Sequence, residues 1–237
     1  MSITRELLVA DLGVVPYAEA LELQRNAAHA RLDGRLAHDL LILVEHPPVV
    51  TFGRSAKAAH LLLSESELAG RGVEFFDVER GGDVTFHGPG QLVGYPIMHL
   101  GRHREDLHWY LRELEQVMID GLASLGVAAA RNPGKTGVWT GDRKIASIGV
   151  HARQWVTWHG FALNVTTDLS YFDVMVPCGI PDVVMTSVAR ELAGGALASE
   201  SLNAAAREAV THAFAARFSL TPSPVSDTAL RELLTAT

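Results

Sequence analysis

The chain has 237 residues, 48% of them hydrophobic, and carries 20 basic against 27 acidic side chains for a formal charge of -7. That apolar content supplies a sizeable core and excludes a disordered chain, while the negative balance argues against sequence-independent binding to a nucleic-acid backbone. A single cysteine excludes an intrachain disulfide.

In chain order, the opening segment MSITRELLVADLGVV carries Arg5, Glu6 and Asp11 where a secretory signal would need an apolar run. With the lone cysteine, it points to a cytoplasmic protein without membrane insertion, in which the Asn164-Val165-Thr166 sequon is accidental. Leu7 to Asp11 reads as a first strand, and Pro16 opens a helix that runs through about Arg31 and is terminated by Gly34. Leu40 to Glu45 and Val49 to Phe52 read as strands broken by Pro47-Pro48, too short for a spanning helix.

Between Glu105 and Leu125, leucines and Met118 recur at intervals of three and four, which predicts an amphipathic helix closed by Gly126. Val138 to Thr140, a Gly141-Asp142 turn and Arg143 to Val150 form a predicted hairpin, followed by a strand over Trp155 to Asn164. Leu202 to Phe218 is a last amphipathic helix. No stretch has the composition of an interdomain linker, so the expectation is one catalytic domain over 1–237, of α+β class, with a mixed, largely antiparallel central sheet flanked by helices.

Three segments carry chemistry. Residues 80–91, RGGDVTFHGPGQ, place four glycines around Val84, Thr85, Phe86 and His87, which lets backbone approach a ligand closely. Taken alone the pattern reads first as a strand between tight turns, and it lacks the Gly-Lys-Ser/Thr ending of a phosphate loop. In residues 137–151, GVWTGDRKIASIGVH, Lys144 is by spacing alone an ordinary solvated hairpin lysine. Strict alternation, however, puts Lys144 with Ala146 and Ile148 on an apolar face, opposite Ile145, Ser147 and Gly149, where an ammonium needs a partner or a ligand. In residues 176–180, VPCGI, the sole thiol is either a small buried hydrophobe or, because Pro177 and Gly179 force a sharp loop, a presented nucleophile beside N–H groups able to hold an oxyanion. An adjacent cation such as Lys144 would favour its reactive thiolate. The basic cluster Arg131, Lys135, Arg143, Lys144 and Arg153 is a candidate docking patch for an acidic partner. A histidine-rich metal hydrolase is the alternative class, but no HExxH helix or paired cysteines supply ligands.

The blocks RGGDVTFHGPGQ, GDRKIASIGV, HGFALN and VPCGI, in this order and with EHPPVVTFGR at 45–54, resemble the signature of the lipoyl(octanoyl) transferase family from about Leu12 to Ser187. The resemblance implies a fold similar to biotin and lipoate protein ligase catalytic domains. It implies an acyltransferase that carries octanoyl from octanoyl-acyl carrier protein, via a Cys178 thioester, to a lysine of apo lipoyl domains. The acceptors it implies are those of 2-oxoacid dehydrogenase complexes and the glycine cleavage H-protein, with no cofactor. By residue match, Cys178 is the nucleophile and Lys144 the lysine that lowers its pKa. Arg80, Gly81, Gly82, Asp83, Val84, Thr85, Phe86 and His87 form the acyl-substrate loop. Ser147, Ile148 and Gly149 form a second wall, and Gly160, Phe161 and Ala162 a third. His151 and His159 adjoin these walls as groups that could position the carbonyl. Asp83 and Phe86 depart from the family pattern, which bears on chain-length or donor preference. An ATP-dependent lipoate or biotin ligase on the same fold, and an amidotransferase moving octanoyl between lipoyl domains, are the neighbouring activities.

Overall fold

A computed structural model describes residues 5–192 and 199–235. Strand β1 (Arg5–Val14) leads through Pro16 into helix α1 (Tyr17–Leu32), then β2 (Asp39–Glu45) and β3 (Val49–Phe52). A short helix α2 (Glu65–Gly70) precedes β4 (Glu74–Asp77), β5 (Val84–His87) and β6 (Gln91–Ile97). Helix α3 (Leu107–Ser124) is followed by β7 (Ala130–Asn132), β8 (Lys135–Thr140), β9 (Arg143–Arg153) and β10 (Val156–Asn164). A loop with 3-10 turns at Leu169–Val174 and Pro177–Gly179 then reaches β11 (Val184–Met185), α4 (Val188–Glu191), α5 (Ser199–Phe218), β12 (Leu220–Pro224) and α6 (Asp227–Thr235).

The main sheet runs in the order β12-β1-β2-β6-β10-β9-β8-β7, with β11 added parallel to β9. Strands β12, β1 and β2 are parallel and every pairing from β2 to β7 is antiparallel, so the expected α+β class with a mixed, mostly antiparallel sheet holds. Both faces of the sheet are covered, which is why β2 reads as an unbroken apolar run rather than an alternating one. Leu41 and Leu43 face one core with Leu114 and Met118 of α3 and Val210 and Phe214 of α5. Leu40, Ile42 and Val44 face the other, with Leu23 and Ala27 of α1 and Leu230 of α6. Each such leucine or isoleucine withdrawn from water contributes roughly 1.5–3 kcal/mol.

Helix α3 begins later than its periodicity suggests because Asp106 caps it, accepting a hydrogen bond from the Trp109 N–H at 2.9 Å. Among the described residues no helix is long and apolar enough to cross a membrane. A second sheet, β4-β3-β5, had no counterpart in the sequence reading. Along β5 the side chains alternate: Val84 and Phe86 enter a separate small core with Val50, Leu68 and Phe172, leaving Thr85 and His87 for the opposite face. That face is one wall of the site.

Candidate active site

Cys178 sits in the Pro177–Gly179 turn with φ 56° and ψ 21°, a left-handed conformation that a non-glycine residue adopts only when its surroundings hold it there. The turn is closed by the Gly179 N–H donating to Val176 O at 2.9 Å and the Ile180 N–H to Pro177 O at 3.1 Å. Those two donors, and the Gly81 N–H held by Val150 O at 2.8 Å, are therefore not available to an oxyanion, contrary to the general expectation for these loops. The Gly82 N–H, on the cavity wall, has no hydrogen-bond partner among the described residues.

Lys144 lies on β9 with its side chain 1% exposed, and its Nζ donates to Cys178 Sγ at 2.9 Å. Ser147 Oγ is 3.7 Å from the same sulfur. This corrects the alternation read from the sequence, which set Lys144 and Ser147 on opposite faces. Val138 pairs with Ala146 but Trp139 with Lys144, so β9 carries one extra residue, a bulge at Ile145. The bulge sends Ile145 and Ala146 together into the helix-covered core and turns Lys144 onto the face of Ser147. Among the described residues no carboxylate forms an ion pair with Lys144, so its partners are the sulfur and the Trp139 ring, 5.7 Å away. Burial would push the Cys178 thiol up, but the Lys144 ammonium, the Lys144 and Ser147 hydrogen bonds and the Arg80 guanidinium hold it below its ordinary value.

Two glycines make this approach feasible. A Cβ on Gly137 would lie 2.7 Å from Lys144 Cε and 2.6 Å from Ala146 O. A Cβ on Gly179 would lie 2.5 Å from Asp83 Oδ2 and 3.0 Å from the His60 ring. Gly137 is fixed from behind by the buried Glu115, whose Oε1 accepts its N–H at 3.1 Å while Arg112 and Arg131 hold Oε2.

Cys178 and Lys144 open onto a cavity of about 260 Å³. Of the predicted loop, Arg80, Gly82, Asp83, Thr85 and His87 line it, as do all of Ser147, Ile148, Gly149, Gly160, Phe161 and Ala162, and His159. Gly81, Val84, Phe86 and His151 do not. Val84 and Phe86 are on the other side of β5, where Phe86 stacks on Tyr171 at 4.6 Å, so Phe86 has no contact with the cavity. His151 packs on Trp158 at 4.2 Å and bonds to Glu79 O. Arg80 is buried and clamps the loop onto β3 by donating to Thr51 O at 2.6 Å. Sequence reasoning missed Tyr17 of α1, Val93 and Tyr95 of β6, Gly134, Thr136 of β8 and Ile180, and Lys135, assigned to the basic cluster, lines the cavity too. They are ordinary residue types on separate elements, and no spacing connects them.

Two histidines and two tyrosines at and behind these walls are held neutral. Burial pulls His87 down to about 3, helped by nearby His46 and Arg80, and burial pulls His46 to about 4. Burial pushes Tyr17 up to about 12 and also raises Tyr95. The basic cluster of the sequence reading is dispersed: Lys144 is in the site, Arg131 is paired with Glu115, and Arg143 is bonded to Glu191 at 3.0 and 2.9 Å. Lys135 and Arg153, both away from the Gly141-Asp142 turn, are its exposed members without an ion pair among the described residues. Among the described residues no three His, Cys, Asp or Glu side chains are placed to hold a metal ion.

Residues 16–215 match the family described as the lipoyl protein ligase A/B catalytic domain. The chain is 51% identical to an octanoyltransferase of Solibacter usitatus over 185 residues, covering 78% of this chain and 84% of that protein. It is 52% identical to an octanoyltransferase of Gloeobacter violaceus over 173 residues, covering 73% and 76%. Its fold is similar to that of a bipartite lipoate protein ligase from Thermoplasma acidophilum, with TM-score 0.71 and 17% identity over 98% of this chain and 92% of that one. With about half of the aligned residues identical over most of its length, the chain belongs to the lipoyl protein ligase A/B catalytic-domain family and, within it, to the octanoyltransferases.

Proposed function

We propose that this acyltransferase takes an octanoyl group from octanoyl-acyl carrier protein onto Cys178 as a thioester and passes it to a lysine of apo lipoyl domains. The observation that carries this reading is the 2.9 Å contact between the buried Lys144 ammonium and Cys178 Sγ at a cavity where, among the described residues, no carboxylate forms an ion pair with that ammonium. The thiolate attacks the donor carbonyl, and the Gly82 N–H is the free cavity donor nearest in kind to an oxyanion ligand. As the C–S bond to the carrier breaks, Lys144 gives its proton to the leaving thiolate. Acylation has removed the negative charge that balanced Lys144, so proton donation at that moment also avoids a buried ammonium without a counter-charge.

The acyl chain occupies the cavity between β5, β9 and β10, where each buried methylene contributes about 0.8 kcal/mol. Neutral His87, Tyr17 and Tyr95 add no further charge to the wall beyond Arg80, Asp83, Lys135 and Lys144. The thioester supplies the activation, so attack by an amine runs downhill to the amide without ATP, and a reducing compartment such as the cytoplasm keeps the thiol free. Intact-mass measurement after incubation with octanoyl-acyl carrier protein tests this. The expected result is a hydroxylamine-labile octanoyl adduct on the parent, no labile adduct on Cys178→Ser, and slow formation on Lys144→Ala. Product from octanoate and ATP with no thioester present would instead make the protein a ligase.

A further inference from the structure

On the outer side of the Cys178 turn lies a second groove of about 810 Å³, lined by Pro177 and Ile180 of the turn, by Leu62 and Val184, and by His60. Ile180 also lines the inner cavity, so a single turn of chain separates the two spaces. The wall between them holds a side-chain pair that the proposed cycle has not used: His60 Nδ1 is 2.8 Å from Asp83 Oδ2, with the imidazole facing the outer groove and the carboxylate facing the inner cavity. Asp83 is itself fixed, because its Oδ1 accepts the Val84 N–H at 2.7 Å. His60 O accepts the Val176 N–H at 2.8 Å, and Gly179 packs against both side chains, so the pair abuts the nucleophile turn directly.

A carboxylate at Nδ1 requires the proton of a neutral imidazole to be there, which leaves Nε2 as an acceptor. His60 Nε2 has no hydrogen-bond partner among the described residues, and the side chain retains 22% exposure, toward the groove. The other charged groups lining that groove are Asp173, Asp182 and Arg190, a net negative set that favours a cationic side chain over a phosphate-bearing arm. Facing the turn from behind are Cys178 and Lys144.

Building on the function proposed above, we infer that the lysine of the acceptor domain comes in along the outer groove, passes the Ile180 edge that groove and cavity share to reach Cys178, and gives up to His60, oriented by Asp83, the proton it must lose before it attacks. The acceptor arrives as an ammonium, which has no lone pair. His60 Nε2 accepts one proton and returns it to solvent through the groove. The free amine adds to the Cys178 thioester carbonyl, forming the C–N bond. As the C–S bond breaks, the second nitrogen proton passes to the neutral Lys144, which restores the thiolate and ammonium pair. Over the whole cycle one acyl group moves, one carrier thiol forms and one proton is released.

The test separates the half-reactions. Parent, His60→Asn and Asp83→Asn are loaded with octanoyl from octanoyl-acyl carrier protein, and discharge is followed by intact mass against either an apo lipoyl domain or hydroxylamine, which is uncharged near neutral pH and needs no base. Asparagine keeps a hydrogen-bond donor for Asp83 but cannot act as a base. Expected are parental loading and parental hydroxylamine discharge for His60→Asn, with transfer to lysine slowed about a hundredfold near pH 7 and recovering about tenfold per pH unit above it. Asp83→Asn should slow lysine transfer in the same direction. Parental lysine transfer by His60→Asn would overturn the inference, as would an equal slowing with hydroxylamine, which would reveal a structural role alone. Failure of the parent to load would strike instead at the thioester cycle on which the inference rests.

Discussion

At the scale of single residues, the site is governed by one opposition. Burial works against the Cys178 thiolate, and the Lys144 ammonium in contact with it works for it. Removing the ammonium leaves the burial in place, so Lys144→Ala should raise the thiol above its parental value and slow iodoacetamide alkylation near pH 7 by about tenfold or more. An unchanged alkylation profile would mean that the 2.9 Å contact does not govern the charge of the sulfur. The two partners were legible before any coordinates, because a lone cysteine between Pro177 and Gly179 and a lysine just past a hairpin turn are unusual in kind. His60, Tyr17 and Tyr95 were not legible. Each is an unremarkable residue in its own segment, and their meeting at the site depends on how α1, β6 and the loop after β3 pack.

Among elements, the β9 bulge decides which way Lys144 points. Periodicity found the hairpin and its turn at Gly141-Asp142, but a bulge is a property of two strands in register, and neither strand shows it alone. Strict alternation would have buried Lys144 under α3 beside Ala146. The correct face is secured by β11, where Met185 pairs with Lys144 and the Thr186 N–H donates to Lys144 O at 2.9 Å. Only a short segment joins that strand to Cys178, so the sulfur and its cation are tied together locally although 34 positions separate them. Gly137 occupies the remaining space at φ 121°. Gly137→Ala should therefore cost about 2 kcal/mol from backbone strain and displace the Lys144 stem. Chemical denaturation would register the first effect and loss of the fast acyl-loading phase the second, whereas a fully active, equally stable variant would contradict the geometry. A similar register effect explains the glycine-rich segment: Thr85 and His87 reach the cavity because Val84 and Phe86 take the other side of β5, in a second sheet that the pattern of residues 47–87 did not reveal.

Across the whole molecule, sandwiching the sheet between α1 and α6 on one face and α3 and α5 on the other creates an interior deep enough to keep histidines uncharged. His46, bonded to Val15 O at 2.7 Å and the Tyr95 hydroxyl at 2.6 Å, and His87, bonded to Gln91, both stay neutral when folded but take up protons below about 6.5 when unfolded. The unfolded state thus binds more protons as pH falls, and stability drops from pH 6.5 down through about 4 for His46 and about 3 for His87. His46 alone should account for about 3 kcal/mol across its window. Thermal unfolding at pH 7 and pH 5 should show this loss, smaller in His46→Asn and His87→Gln, and a flat profile in the parent would refute it. The layered fold was foreseeable because helix and strand periods persist over long stretches of chain. The dispersal of the basic cluster was not, because Glu115 and Glu191, which neutralise Arg131 and Arg143, come from α3 and α4. The solitary sulfur carries a further consequence. A peroxide that reaches it would leave a sulfenic acid with no second cysteine anywhere in the chain to resolve it as an internal disulfide. Recovery from such damage would depend on a small external thiol entering the cavity, and in the proposed cycle the acylated form of Cys178 would be shielded from oxidation.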